Sequence, residues 1–222
     1  MNLPNGLLPT VWVWGSLALL LPVLLVAVRR APWHALFAKP ERVSVYLAAI
    51  LLLVMLWSMR ADVTPGLSLH FLGMTALTLI VGWPLAVIGA TLAYVGYVLA
   101  GMAGWEGLGT GVLIGGVLPA TLTAFLLMIA RYFMLPNFFI YVFVNAFAAA
   151  ILSVLAVGFA TSMLFWFIGY YDWSQLQQNY LRFLPLLALP EGVVNGMVMT
   201  VLALVAPHWV ISFDDDFYIR NR

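Results

Sequence analysis

His70 sits in Thr64-Pro-Gly-Leu-Ser-Leu-His70-Phe-Leu-Gly73, at the mouth of a long apolar run. An imidazole carried into hydrocarbon is costly without a partner, so an ionisable residue there is a candidate functional group. The competing reading is an interfacial histidine, hydrogen-bonded to backbone and chemically idle. Glu191 and Asn195 form a second feature, in Leu189-Pro-Glu-Gly-Val-Val-Asn195-Gly196. Four residues apart, they share one face of a helix. A carboxylate at that depth costs about 2.5–3.5 kcal/mol on insertion scales, so it needs a partner or a proton. The pair is either a packing hydrogen bond between helices or a ligand contact. Both readings stand at this level.

Other candidates are weaker. The run Gly104-Trp-Glu106-Gly-Leu-Gly109-Thr-Gly111 lacks the lysine and the preceding strand of a phosphate loop, and reads as a tight extracellular loop opening a helix. Asp214, Asp215 and Asp216 form a short acidic run, which reads as solvated. His34 and His208 fall in or beside helix connections. No Ser/His/Asp set on convergent helices and no HExxH is present, so a hydrolase or transferase lacks its usual parts and the chain reads as no enzyme. The absence of cysteine removes disulfides, thiolate nucleophiles and thiolate metal ligands together.

Composition dictates the elements that must carry these groups. The 222-residue chain is 65% hydrophobic and 8% charged, against about 25% charged in soluble domains. It is therefore an integral membrane protein whose first partner is the lipid bilayer. Its basic residues form no patch with stacking aromatics, which argues against nucleic acid. A spanning helix takes about 20 apolar residues. Segments at about 11–28, 43–59, 111–130, 136–168 and 181–206 qualify, and Gly82-Trp83-Pro84 divides the run 67–102 into two more. The sixth is long enough to be tilted, kinked or projecting. Pro185 and Pro190 interrupt the seventh.

The predicted fold is an all-α, polytopic membrane protein: a compact bundle of about seven transmembrane helices forming a single domain over 1–222. A six-span alternative makes the third segment a re-entrant hairpin. Arg29, Arg30, Lys39, Arg42, Arg131, Arg220 and Arg222 then share one side, against Arg60 and Arg182 on the other. The positive-inside rule makes the first side cytoplasmic, with the N-terminus and the His70 entrance outside and the C-terminus within. The uncharged opening lacks the basic region of a cleavable signal and is expected to remain on the mature protein. Trp12, Trp14, Trp57, Trp166, Trp173 and Trp209 read as an aromatic belt without chemistry. Gly89, Gly96, Gly101, Gly111, Gly115, Gly116 and Ala146, Ala148, Ala149 and Ala150 read as close-packing positions.

The opening Met1-Asn2-Leu3-Pro4-Asn5-Gly6-Leu7-Leu8 and the block Gly66-Leu-Ser-Leu-His70-Phe-Leu-Gly73 together resemble the CbiM/NikM family. Those proteins are substrate-capturing membrane components of energy-coupling-factor cobalt and nickel importers. Their chains begin Met-His-Ile-Pro-Asp-Gly-Phe-Leu and later show Gly-Thr-Ser-x-His-Leu-Gly. Gly107-Leu-Gly-Thr-Gly-Val-Leu-Ile-Gly-Gly116 is similar to a glycine-bearing run of the family, and Pro190-Glu191-Gly192 to a Glu-Gly pair in its last helix.

The resemblance implies uptake of a divalent transition-metal ion of the cobalt/nickel type, captured on the periplasmic side of a bacterial inner membrane. It implies an N-terminal segment (1–10) folded back into the bundle, and a metal site at Met1 (terminal amine), Asn2 (backbone nitrogen) and His70 (imidazole). An all-nitrogen set suits a late transition metal. The metal is cargo, no organic cofactor is implied, and a separate ATPase and coupling membrane subunit would be the protein partners. The chain departs from the family at Asn2, where the family has histidine, and at neutral Asn5, where it has an acid. One strong nitrogen donor is thereby lost. An outside ligand, a different or weaker metal, and loss of the site all remain open, the last making the chain a structural or accessory subunit of a larger complex.

Overall fold

The computed structural model describes residues 3–214 and 217–218. Met1, Asn2, Asp215, Asp216, Arg220 and Arg222 lie outside the described residues. The elements in order are α1 (Thr10–Arg30), α2 (Trp33–Phe37), α3 (Pro40–Ser58), β1 (Arg60–Thr64), β2 (Leu67–His70), α4 (Met74–Val81) and α5 (Trp83–Leu99). They continue with α6 (Trp105–Phe133), α7 (Phe138–Phe167), α8 (Trp173–Asn179) and α9 (Leu184–Val205). Helices α1, α3, α6, α7 and the stretch Trp173–Val205 are long and apolar enough to cross a membrane, and α5 is shorter. The chain is an all-α polytopic membrane protein with one small hairpin.

That hairpin is where the sequence reading needs correction. The expected third helix over 67–82 is instead a strand, a short linker and an eight-residue helix. β1 and β2 pair antiparallel, with Arg60 opposite His70 and Asp62 opposite Ser68. Pro65-Gly66 makes the turn, with Gly66 at φ +82°, the positive value that a type II turn requires at its third position. A Cβ at Gly66 would lie 2.3 Å from the Phe165 ring and 2.7 Å from Leu7. The turn is therefore pressed against α7 and the N-terminal segment. An apolar segment can hide its hydrophobicity as readily in this form as in a long helix, provided that its backbone finds partners inside the protein.

α4 lies in the middle of the bundle. Met74, Leu77, Leu79, Ile80 and Val81 are all buried. Helices leave up to four N–H and four C=O groups without intrahelical partners at their ends, and in a membrane water is not there to take them. The last part of the chain supplies partners at both ends of α4. Glu191 and Asn195 of α9 accept from backbone N–H groups at its start. Beyond α9 the chain folds back, and Ile211 and Ser212 donate to the carbonyls of Ile80 (2.9 Å) and Leu79 (3.2 Å).

Contacts across the chain identify the two ends of the bundle. At one end Arg42, near the start of α3, donates to the carbonyls of Ala35 and His208, and Arg131 of α6 donates to Ser212 O at 2.7 Å. At the other end Gly104 N donates to Leu3 O, Arg60 to Met102 O and the Tyr171 hydroxyl to Pro65 O. His70 belongs to the second end.

Further expectations are revised by packing. The glycine run at 104–111 is mostly inside α6 rather than in a loop, because its glycines admit neighbouring backbone and rings. A Cβ on Gly109 would stand 2.4 Å from Ser16 Oγ of α1, and one on Gly111 2.1 Å from the Tyr94 ring of α5. By contrast, a Cβ on Gly101 or Gly115 would meet nothing within 4 Å, so these two do not serve close packing. Pro185 falls in the first turn of α9, where no N–H is needed; Pro190 is accommodated inside a continuous helix. Two stretches adopt π-helical geometry, Leu113–Val117 in α6 and Tyr141–Ala148 in α7. The second gives the expected irregularity of the long sixth segment a specific form.

Candidate functional site

His70 ends β2 and is buried, beside Trp57 of α3 and a small pocket lined by Val154, Val157 and Gly158 of α7 and Leu184 and Leu187 of α9. Its Nδ1 lies 3.1 Å from the carbonyl of Phe71. In the tautomer protonated at Nδ1 the ring donates there, a bond that orients the imidazole. Burial pushes its pKa down to about 3, and the nearby Arg60 guanidinium adds to the effect. The ring is therefore neutral at physiological pH, the form that ligates metals. Arg60 itself is occupied: it pairs with Asp62 at 3.0 Å, hydrogen-bonds the Tyr97 hydroxyl and stacks over the Tyr97 ring.

The loop that follows His70 is held by a second set of residues. Glu191 receives Leu72 N on one carboxylate oxygen and Gly73 N on the other, both at 2.8 Å. Asn195 Oδ1 receives Ala76 N at 2.8 Å, while its Nδ2 donates to the Glu191 carboxylate at 3.0 Å and to the Glu191 carbonyl at 2.8 Å. Three donors converge on the carboxylate, as suits an acceptor-only group. It sits where the N-terminus of α4 favours negative charge. The pair is thus a cap supplied from another helix, and the packing reading of Glu191 and Asn195 is the one the geometry realises.

Trp57 completes the frame. The belt reading of this residue fails: the ring is 4% exposed, its Nε1 donates to Leu72 O at 3.1 Å, and it lies 6.3 Å from the His70 ring. An indole inside the bundle needs an acceptor, and here it takes the one left beside His70. Leu72 is thereby held from both sides, by N–H to Glu191 and by C=O to Trp57. Hydrophobicity near a helix end signals a belt equally well, so no feature of the sequence marked Trp57 as different from Trp12 or Trp14, which are exposed.

The N-terminal segment meets this end of the molecule. Leu3 is fully buried, and Leu3, Leu7 and Leu8 share one apolar cluster with Leu67 of β2 and Phe165 of α7. The Leu3 carbonyl accepts from Gly104 N at 2.9 Å, Gly6 N donates to the Glu106 carboxylate at 2.6 Å, and Asn5 Oδ1 accepts from Glu106 N at 3.3 Å. Gly104 and Gly107 are bare because Asn5 and Leu3 lie against them; a Cβ would stand 2.1 Å and 2.6 Å away. Of the three sequence-derived site residues, His70 is on this face, and Met1 and Asn2 lie outside the described residues. Among the described residues no three His, Cys, Asp or Glu side chains gather into a metal-holding group. The other two histidines, His34 and His208, belong to the opposite end, in α2 and in the turn Pro207–Trp209.

The family model for the cobalt uptake substrate-specific transmembrane region, CbiM, matches residues 2–209. The chain belongs to the CbiM family. Its members are transporters, and membership places this chain in metal uptake transport. Two solved structures share its fold. One, described as a transition metal transporter, is 19% identical, with a TM-score of 0.76 over 92% of this chain and 93% of its own. The other, a truncated transition metal transporter, is 18% identical, with a TM-score of 0.75 over 91% and 98%. Comparison with curated proteins returns no match. In this CbiM-family chain His70 ends the hairpin, next to the loop held by the α4 cap, at the end of the bundle where the N-terminal segment packs as a strap of residues 3–8.

Proposed function

We propose that this protein captures a divalent transition-metal ion of the nickel or cobalt type on the periplasmic side of a bacterial inner membrane. The site would lie where the N-terminal strap, the hairpin and α4 meet. His70 supplies a neutral imidazole, Met1 the terminal amine and Asn2 a backbone nitrogen. The observation that carries this reading is the strap itself. Residues 3–8 are anchored through Leu3, Asn5 and Gly6 and by the bare Gly104 and Gly107 that they pack against, on the same end of the bundle as His70. Anchoring of residues 3–8 at this end would allow the terminal amine to serve as a ligand, and its ordinary pKa of about 7.7–8.0 leaves it deprotonatable near neutral pH. Nitrogen donors in a tetragonal arrangement suit Ni(II) and its neighbours.

Asn2 leaves this site one imidazole short of the family pattern, and a water molecule would take that position. The end bearing Arg29, Arg30, Lys39, Arg42 and Arg131 faces the cytoplasm by the positive-inside rule. The chain carries no Walker A motif, so ATP-driven release inward would depend on a separate ATPase and a coupling membrane subunit. Titration of the untagged protein with Ni(II) and Co(II), beside His70→Ala, tests the reading. Stoichiometric binding that is lost in the variant is expected. Absence of binding, or binding unchanged by the substitution, overturns it. Asn5 and Asn2 favour one second reading, a metal-free accessory subunit, since Asn5 already has a structural use in holding Glu106. That reading gains if mild-detergent purification yields a stoichiometric membrane partner, no ATPase and no metal.

A further inference from the structure

At the end of the bundle remote from His70 there is a cavity of about 60 Å³ between α2, α3, α4 and the segment beyond α9. About 10–15 Å³ suffices for one water, so this space admits a group of several heavy atoms. Its wall combines Arg42, His208 and Trp209 with apolar side chains that include Leu36, Val81 and Ile211. Two observations say what chemistry it fits. Arg42 is fixed in place by donating to Ala35 O at 3.1 Å and to His208 O at 3.3 Å. A guanidinium has five N–H donors, so a positioned cation remains able to donate further. The Trp209 indole Nε1, a donor only, is buried without an acceptor among the described residues. An unmet buried donor in a native structure asks for an explanation, of which a bound water, ion or ligand acceptor is one.

Donors without acceptors define an anion site. No carboxylate lines it, and across 29–42 the chain carries Arg29, Arg30, Lys39 and Arg42 against Glu41 alone, although an acidic run starts at Asp214, three residues past Ile211. The apolar wall favours an anion of one charge attached to hydrocarbon over a strongly hydrated ion. We propose that this pocket binds the phosphate diester of an anionic phospholipid headgroup, with Arg42 and Trp209 Nε1–H as donors. Basic pockets between helices at a membrane face are suited to such headgroups. Seated there, the headgroup clips α2, α3 and the chain beyond α9 together beneath α4. It thereby supports from below the helix whose upper end holds the His70 loop. The same donors would accept inorganic phosphate, the soluble source of this chemistry.

Native mass spectrometry of the detergent-solubilised full chain, titrated with dioleoylphosphatidylglycerol, dioleoylphosphatidylcholine or inorganic phosphate, tests the site. Phosphatidylglycerol is expected to bind more tightly than phosphatidylcholine. Arg42→Gln should weaken it roughly tenfold or more, since a charge-assisted bond is lost, and Trp209→Phe about three- to tenfold. Trp209→Phe keeps the ring and removes only the N–H, so it decides the matter even if Arg42→Gln folds poorly. Binding of inorganic phosphate that Trp209→Phe weakens, without preference for phosphatidylglycerol, upholds the anion pocket and overturns its lipid source. Phosphatidylglycerol binding equal to phosphatidylcholine, with phosphate inert and both variants unchanged, overturns the proposal.

Discussion

Glu191→Gln isolates what the cap on α4 contributes. In the native arrangement each carboxylate oxygen receives one backbone N–H, from Leu72 and Gly73, at 2.8 Å. Glutamine has nearly the same shape but one acceptor. Its amide nitrogen would face whichever of the two N–H groups it replaces, donor against donor. A charge-assisted hydrogen bond is worth about 1.5–3 kcal/mol, and a buried donor left unmet costs about 1–3 kcal/mol. The lost charge at the helix start adds about 0.3–1 kcal/mol. These overlap, so we take about 3 kcal/mol as the expected loss, close to the low end of their sum. For a chain of this size each kcal/mol moves the midpoint by about 2–4 °C, which gives a fall of about 6–12 °C in thermal unfolding followed in detergent. The same substitution should loosen Leu72 and with it His70. Modification of His70 by diethylpyrocarbonate, read by mass spectrometry, should then become faster. A midpoint within about 2 °C of the native protein, with His70 modification unchanged, would refute the capping account.

Trp57→Phe removes the bond to Leu72 O while keeping most of the ring, and is expected to cost about 1 kcal/mol, or about 2–4 °C in the same melt; a larger loss of metal affinity than of stability would identify Trp57 as a positioning residue of the site. His70 has its pKa lowered to about 3 by burial, against an unfolded value of about 6.5. The sign follows from the depressed folded value: its contribution to stability is complete above pH 6.5 and is lost progressively as pH falls toward 3. Between pH 6.5 and 5, histidine-labelled NMR should find His70 still neutral, and a midpoint near 6.5 would contradict the buried site. Metal affinity should therefore track deprotonation of the terminal amine near pH 7.7–8.0 rather than that of the imidazole. Asn2→His restores the missing imidazole and should tighten Ni(II) at least about tenfold, since even outer-shell ligand changes alter metal affinity by 10–100-fold; unchanged affinity in a calorimetric titration would place the metal elsewhere.

Much of the architecture could be read directly from residue types. Apolar length alone located α1, α3, α6, α7 and α9, and the Gly82-Trp83-Pro84 break fell where α4 gives way to α5. Those signals are local: hydrophobic span and helix punctuation act within twenty residues. The motifs around His70 and the opening block were legible for the same reason, and they pointed to the family whose model matches residues 2–209.

What the sequence by itself determined is a polytopic, cysteine-free apolar bundle of this family with one histidine, His70, at the mouth of a long apolar run. Tertiary structure decided the rest, because it turns on backbone groups whose partners lie in other elements, more than a hundred residues away at both ends of α4. That 67–81 is a strand and a short helix follows from partners at both ends of α4, Glu191 and Asn195 above and Ile211 and Ser212 below. A lone apolar stretch does not announce such partners. Trp57, read as belt, became a support of Leu72 because one carbonyl inside the bundle lacked a donor. In a membrane interior an unmet backbone group costs several kcal/mol, and that cost, which no single residue displays, dictates how His70 is held.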